Sequence, residues 1–200
     1  MNVRDRITLS SLQFLGLGLG LGATLVAVFN PLAAQETPSI KIDGSSTVYP
    51  ITKKIVEDYQ ASQKKPVEIE IEFSGTGGGF DKFCSGETEI NNASRPIQLD
   101  EMETCREAGV AYIELPLARP LFIYVNAAAA RKNKELVRFT QFYLKNAPEV
   151  VGNVGYVSLP DEAYQINEVT FYRGEVGTVF DGQSQFNVTI PELLRKQAQY

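Results

Sequence analysis

Histidine is missing from these 200 residues, and cysteine occurs only twice. Without an imidazole there is no side chain that ordinarily titrates near neutral pH, and no usual partner for a serine or cysteine nucleophile. Two thiols and no histidine also argue against a zinc site. Asp43 and Asp81 flank two loops, but no ligand cluster accompanies them. The expectation is a protein that is not an enzyme, uses no cofactor and holds no metal. A basic excess is missing too, since 19 Lys and Arg stand against 24 Asp and Glu, a net charge of −5. That balance argues against nucleic acid as a partner. Any small anion must then be drawn by local dipoles, because the global field repels it. After residue 34 no apolar run approaches the ~20 residues of a membrane span.

What is present begins with a targeting segment. Arg4 and Arg6 precede an uncharged, mostly apolar run from Phe14 to Phe29, and Pro31-Leu32-Ala33-Ala34-Gln35 offers small residues for cleavage. Residues 1–34 read as a secretory signal peptide cut after Ala34, with an uncleaved anchor as the alternative. In an exported chain, Cys84 and Cys105 are most simply one disulfide.

The mature part opens on Ile40 to Pro50. Ile40 and Ile42 mark a strand, Gly44 a sharp turn, and Val48, Ile51, Ile55 and Tyr59 a helix. Ser46 or Thr47 caps that helix in this reading, and Pro50 fits its first turn. A helix start beside three hydroxyls offers unpaired N–H groups to a small oxyanion. Alone, the stretch reads equally as an ordinary capped helix. Residues 67–73 alternate without a fault, as an edge strand with three glutamates in water. Ser74-Gly75-Thr76-Gly77-Gly78-Gly79-Phe80 then reads as a glycine-hydroxyl loop, with a helix from Asp81. It matches neither a P-loop nor a dinucleotide fingerprint. A third strand ends near Ser94-Arg95 and directs Arg95 into the crevice at the strands' carboxyl ends, where its fork suits an oxyanion.

Further on, a helix runs from Asp100 to Gly109, and a strand over 111–115 is closed by Pro116. Residues 121–125 form a buried strand. A helix within 127–146 is stopped by Pro148, and another spans 161–172. Loose structure follows Arg173, with a short helix over 191–199.

Asp43 to Ile51, Ser74 to Phe80, Asn92 to Ile97 and Arg119 to Asn126 together resemble the phosphate-binding protein of the high-affinity phosphate ABC transporter. Gly155 to Pro160 resembles that family's C-terminal part. The resemblance covers roughly residues 38 to 172. It implies an α/β periplasmic-binding-protein lobe, with a mixed, mostly parallel sheet and helices on both faces. It implies a periplasmic or extracytoplasmic location, inorganic phosphate as ligand and ABC transporter permease subunits as partners. Matched loop by loop, the phosphate contacts are Ser46, Thr47 and Val48, then Ser74, Thr76 and Gly77, then Arg95. Some members carry aspartate where Arg95 stands, and that aspartate rejects sulfate. Selectivity over sulfate is therefore not implied here. The segments that flank the family's second lobe are joined directly at Leu117-Ala118. The expectation is a single lobe over 35–172 followed by a tail, with the second lobe missing and phosphate bound weakly. The alternative is a non-binding interaction module or truncated remnant that docks on the transporter or another subunit.

Overall fold

The computed structural model describes residues 39–180 together with 182, 183, 192 and 196. The signal segment and the helix expected over 191–199 lie outside these described residues, apart from 192 and 196. Five strands form one sheet in the order β2-β1-β3-β5-β4. They are β1 (Ser39–Gly44), β2 (Glu68–Ile71), β3 (Ile90–Ala93), β4 (Tyr112–Ala118) and β5 (Leu121–Asn126). β2, β1 and β3 run parallel, with Ile42 opposite both Ile71 and Ile90. β5 is antiparallel to β3 and to β4. The sheet is thus mixed as expected, but its pairings are divided evenly between parallel and antiparallel and are not mostly parallel, because β5 runs against both of its neighbours; helices cover both faces.

Each face carries its own core. On one, α1 (Tyr49–Ser62), α5 (Lys134–Asn153) and α6 (Asp161–Arg173) bury Ile51, Ile55, Tyr59, Phe139, Tyr143 and Phe171. Their spacing of three and four places one stripe per helix against the sheet. On the other, α2 (Thr76–Ser85) and α3 (Leu99–Glu107) bury Phe80, Phe83, Cys84, Ile97 and Cys105 against Phe122 and Tyr124. A disulfide joins Cys84 to Cys105, tying α2 to α3. A short α4 (Ala127–Lys132) follows β5 and is capped by Asn126, whose Oδ1 accepts from the Ala128 and Ala129 N–H groups.

The sheet edges are protected in different ways. β2 is an edge strand, as its alternation predicted, and Glu68 and Glu70 point into water. Charge along an open edge deters pairing with another chain. β4 is the other edge. The strand runs through Pro116, where the sequence suggested an end, and reaches Ala118. An edge position accommodates proline because no ladder donor is needed on the outer side.

Four other expectations are corrected. β2 ends at Ile71, short of the expected Phe73. α2 begins at Thr76, so the glycine run forms its first turn and not a free loop. Pro148 does not stop α5, which continues to Asn153 because Ala147, Val150 and Val151 are buried on its inner stripe. The segment after Arg173 is not loose as far as Phe180. Gly177 donates its N–H to the Tyr112 carbonyl at 2.9 Å and bridges Ile113 in parallel. Phe180 packs edge-to-face on Phe122 in the second core. Among the described residues, no helix is long and apolar enough to cross a membrane.

Candidate functional site

Three parallel strands deliver three loops to one edge of the sheet. β1 ends at Gly44, β2 at Ile71 and β3 at Ala93, so their carboxyl ends lie side by side. Backbone bonds tie the loops together. Ser45 N–H donates to Asn92 O at 2.8 Å, and Gly75 N–H to Gly44 O at 2.9 Å. Ser46, Thr47, Val48, Ser74, Thr76, Gly77 and Arg95 all follow directly on the carboxyl ends of these strands. Their individual environments differ from one another.

At the first loop α1 starts at Tyr49 with no side-chain cap from Ser46 or Thr47, and Ser45 instead holds the turn that precedes it. Ser45 Oγ accepts the Thr47 N–H at 3.2 Å. Its carbonyl accepts the N–H groups of Val48 and Tyr49, each at 3.1 Å. The Val48 donor is therefore already engaged. Among the described residues the Ser46 N–H has no acceptor, and the Ser46 and Thr47 side chains are exposed. Tyr156, which follows α5 on the same face as α1, donates its hydroxyl to Thr47 O at 3.0 Å.

The second loop carries the stronger feature. Gly75 takes φ +88° and starts α2 without a side-chain cap. The first bond into the loop is Gly79 N–H to Gly75 O at 2.8 Å. The N–H groups of Thr76, Gly77 and Gly78 thus stand at the positive end of the helix with no partner among the described residues. Ser74 packs beside them, since a Cβ on Gly78 would lie 3.0 Å from its Oγ, but its donors are spent elsewhere. Its N–H and its hydroxyl both donate to Asp43, at 2.8 and 2.9 Å.

Asp43 is buried behind the loops, at 1% exposure, and Lys82 reaches it at 2.6 Å. Burial works to raise its carboxyl, but Lys82 and the Ser74 and Gly44 donors outweigh that and hold it below the usual range. The sequence reading noticed Asp43 only as a flanking residue. Its signal was an acidic residue directly before the turn glycine at the end of β1.

The third loop joins the second through hydroxyls. Ser94 N–H donates to Thr76 Oγ1 at 3.1 Å, and the two hydroxyls also lie 3.1 Å apart. Arg95 is not an unpaired cation. Its fork grips Glu101 at 2.7 and 2.6 Å. The Glu101 carboxylate, the largest influence on Arg95, secures its positive charge. Glu101 also accepts the Gln98 N–H at 2.9 Å, closing the capping box of α3. Glu101 was missed because nothing in a linear pattern pairs residues six apart across a loop and a helix start.

This arrangement can hold a small anion by backbone donors and hydroxyls, with little net charge. Among the described residues no three carboxylate or thiol groups gather as metal ligands would. An aromatic pair, Tyr49 and Phe73, packs at 4.9 Å between centroids beside the first two loops.

Comparison with known proteins agrees with the fold. The PBP superfamily domain matches residues 31–149. Protein SphX of Synechocystis sp. is 30% identical over 310 residues, covering 84% of this chain and 92% of that one. The alignment is longer than the chain itself, so a long stretch of that relative faces no residue here. The phosphate-binding protein PstS of Staphylococcus saprophyticus is 46% identical over 80 residues, 40% of this chain but only 25% of the relative. A crystal structure of a possible phosphate binding protein from Planctomyces limnophilus superposes with a TM-score of 0.64 at 16% identity. It covers 70% of this chain and 99% of its own, so that solved chain is nearly all accounted for by this fold.

Proposed function

The chain belongs to the PBP superfamily, and on that premise we propose that it binds inorganic phosphate as the extracytoplasmic component of a phosphate ABC transport system. The observation that carries the reading is the row of three partnerless N–H groups at Thr76, Gly77 and Gly78. Such a row is a seat for a tetrahedral oxyanion. In this reading Ser46 and Thr47 of the neighbouring loop and the Thr76–Ser94 hydroxyl pair add donors to it, and the names of the PstS relatives supply the ligand. Val48 and Ser74 play supporting parts in this assignment, since their donors are already engaged. Residues 1–34 act as the export signal, and the transporter's permease subunits are the partners.

The chain is one lobe of a two-lobed design. In this reading the second lobe of longer relatives is missing at Leu117-Ala118, the last two residues of β4, which the Arg119-Pro120 turn joins directly to β5. The site is then one-sided and open to water. Exposed contacts are screened and contribute little. Calorimetric titration of the folded chain with phosphate, with sulfate as control, is expected to give saturable binding weaker than about 1 µM. Tighter binding by the monomer overturns the one-sided site. No heat from a demonstrably folded chain overturns the phosphate reading and favours a docking module.

A further inference from the structure

We propose that Glu101 sets the strength of this anion site by acting as a built-in counter-anion for Arg95. The inference rests on the phosphate reading and deepens it. Arg95 is a cation close to the α2 start: a Cβ placed on Gly77 would lie 3.9 Å from its terminal nitrogen. Its guanidinium also stands 5.9 Å from the Phe80 ring centroid, which restricts where it can swing. Yet both arms of its fork close on Glu101, and its third contact is the Pro96 carbonyl at 3.1 Å. An anion at Thr76 to Gly78 therefore meets a pair with no net charge. It must either bind without a full positive charge or compete with a carboxylate that is already bidentate.

Glu101 is well placed for that role. Its side chain is 12% exposed and that of Arg95 27%, so water screens the pair only in part. The Gln98 N–H holds the carboxylate from the other side. An incoming oxyanion thus contends with a rival fixed to the protein, present at every phosphate concentration.

A charge cycle tests this by phosphate titration of four proteins at low salt. Glu101→Gln leaves Arg95 unopposed and keeps the capping box, because glutamine serves at that helix position as glutamate does. It is expected to bind phosphate roughly five- to tenfold more tightly than the parent, with a steeper salt dependence. Arg95→Ala leaves Glu101 unopposed and is expected to weaken binding by a similar factor. The double variant carries no charge at either position and is expected to return close to the parent. Thermal unfolding of each variant checks that all four are folded.

The order Glu101→Gln, then parent and double variant together, then Arg95→Ala supports the counter-anion. Binding by Glu101→Gln where the parent is silent supports it as well. If the parent binds and Glu101→Gln binds equally or less well, Glu101 only steadies Arg95 and the inference fails alone. If no folded variant binds, the phosphate reading fails with it.

Discussion

Replacing Gly44 by alanine is expected to destabilise the lobe by about 4 kcal/mol or more, the range reached when a substitution strikes rigid backbone. Gly44 takes φ +125°, where side-chain-bearing residues are strained. The added Cβ would lie 2.1 Å from the Asn92 carbonyl oxygen and 2.4 Å from Asn91 Oδ1. That carbonyl cannot retreat freely, because it accepts the Ser45 N–H that fixes the first loop. Behind Gly44 lies Gly79 of α2, whose own Cβ would stand 2.4 Å from Gly44 Cα. The two glycines let a helix and a strand touch, with buried Asn91 wedged between them. Gly77 is the control. A Cβ there meets only Arg95, at 3.9 Å, so Gly77→Ala is expected to fold normally. Chemical denaturation read by circular dichroism distinguishes them. A Gly44→Ala protein within about 1 kcal/mol of the parent would show that the β1–α2 contact yields easily.

Those glycines also explain why α2 was read late. Three consecutive glycines have poor helix propensity, so a linear reading makes them a loop. At Gly79 the reason is tertiary, since no larger residue fits against Gly44. Pro148 is the same lesson with the opposite sign. Proline predicts a helix end, but the buried stripe of Ala147, Val150 and Val151 carries α5 onward. Local rules succeeded where local chemistry decides: the alternation of β2, the apolar run of β5 and the helical stripe of α5. The candidate site was legible as a set of loops, because parallel strands bring their carboxyl ends together. Which donors stay open was not legible. Ser74 turns to Asp43, Val48 to Ser45 and Arg95 to Glu101, and each choice depends on neighbours that the chain order does not rank.

The tail beyond α6 was misjudged for a related reason. Its glycines and polar residues read as loose, but Phe180 finds a place in the second core and Thr178 finds a buried carboxylate. That carboxylate, Glu114, was hidden inside an otherwise apolar strand. Its one legible signal was a charge at a position the sheet must bury.

Glu114 is expected to make the lobe's stability fall by about 3 kcal/mol as pH rises from about 4.5 to about 7. It is 5% exposed, and its carboxylate accepts from the Tyr124 and Thr178 hydroxyls and the Val179 N–H. Burial pushes its carboxyl from 4.5 up to about 7, although Thr178, Tyr124 and the Val179 N–H partly offset this. Tyr124 donates at 2.7 Å and Thr178 at 2.6 Å. Glu175 lines the same small cavity, so its charge adds no relief, and Arg173 pairs with Glu175 instead. The folded pKa lies above the unfolded one, so the folded state binds the extra proton. The stabilisation is complete below about 4.5 and lost once pH passes about 7. Asp43 has the opposite sign: its folded pKa is depressed, so its contribution is lost only in acid, as pH falls below the usual carboxylate range. Tyr112, pushed up to about 12, stays neutral throughout. The absence of histidine makes the test clean, because no other side chain ordinarily titrates between pH 5 and 8. Glu114→Gln keeps an acceptor for Thr178 and removes the proton. Denaturation midpoints of that variant are expected to be flat from pH 5 to 7 while those of the parent decline. A parent with a flat profile would show that water reaches Glu114 beneath the Thr178 segment and that its charge is carried without penalty.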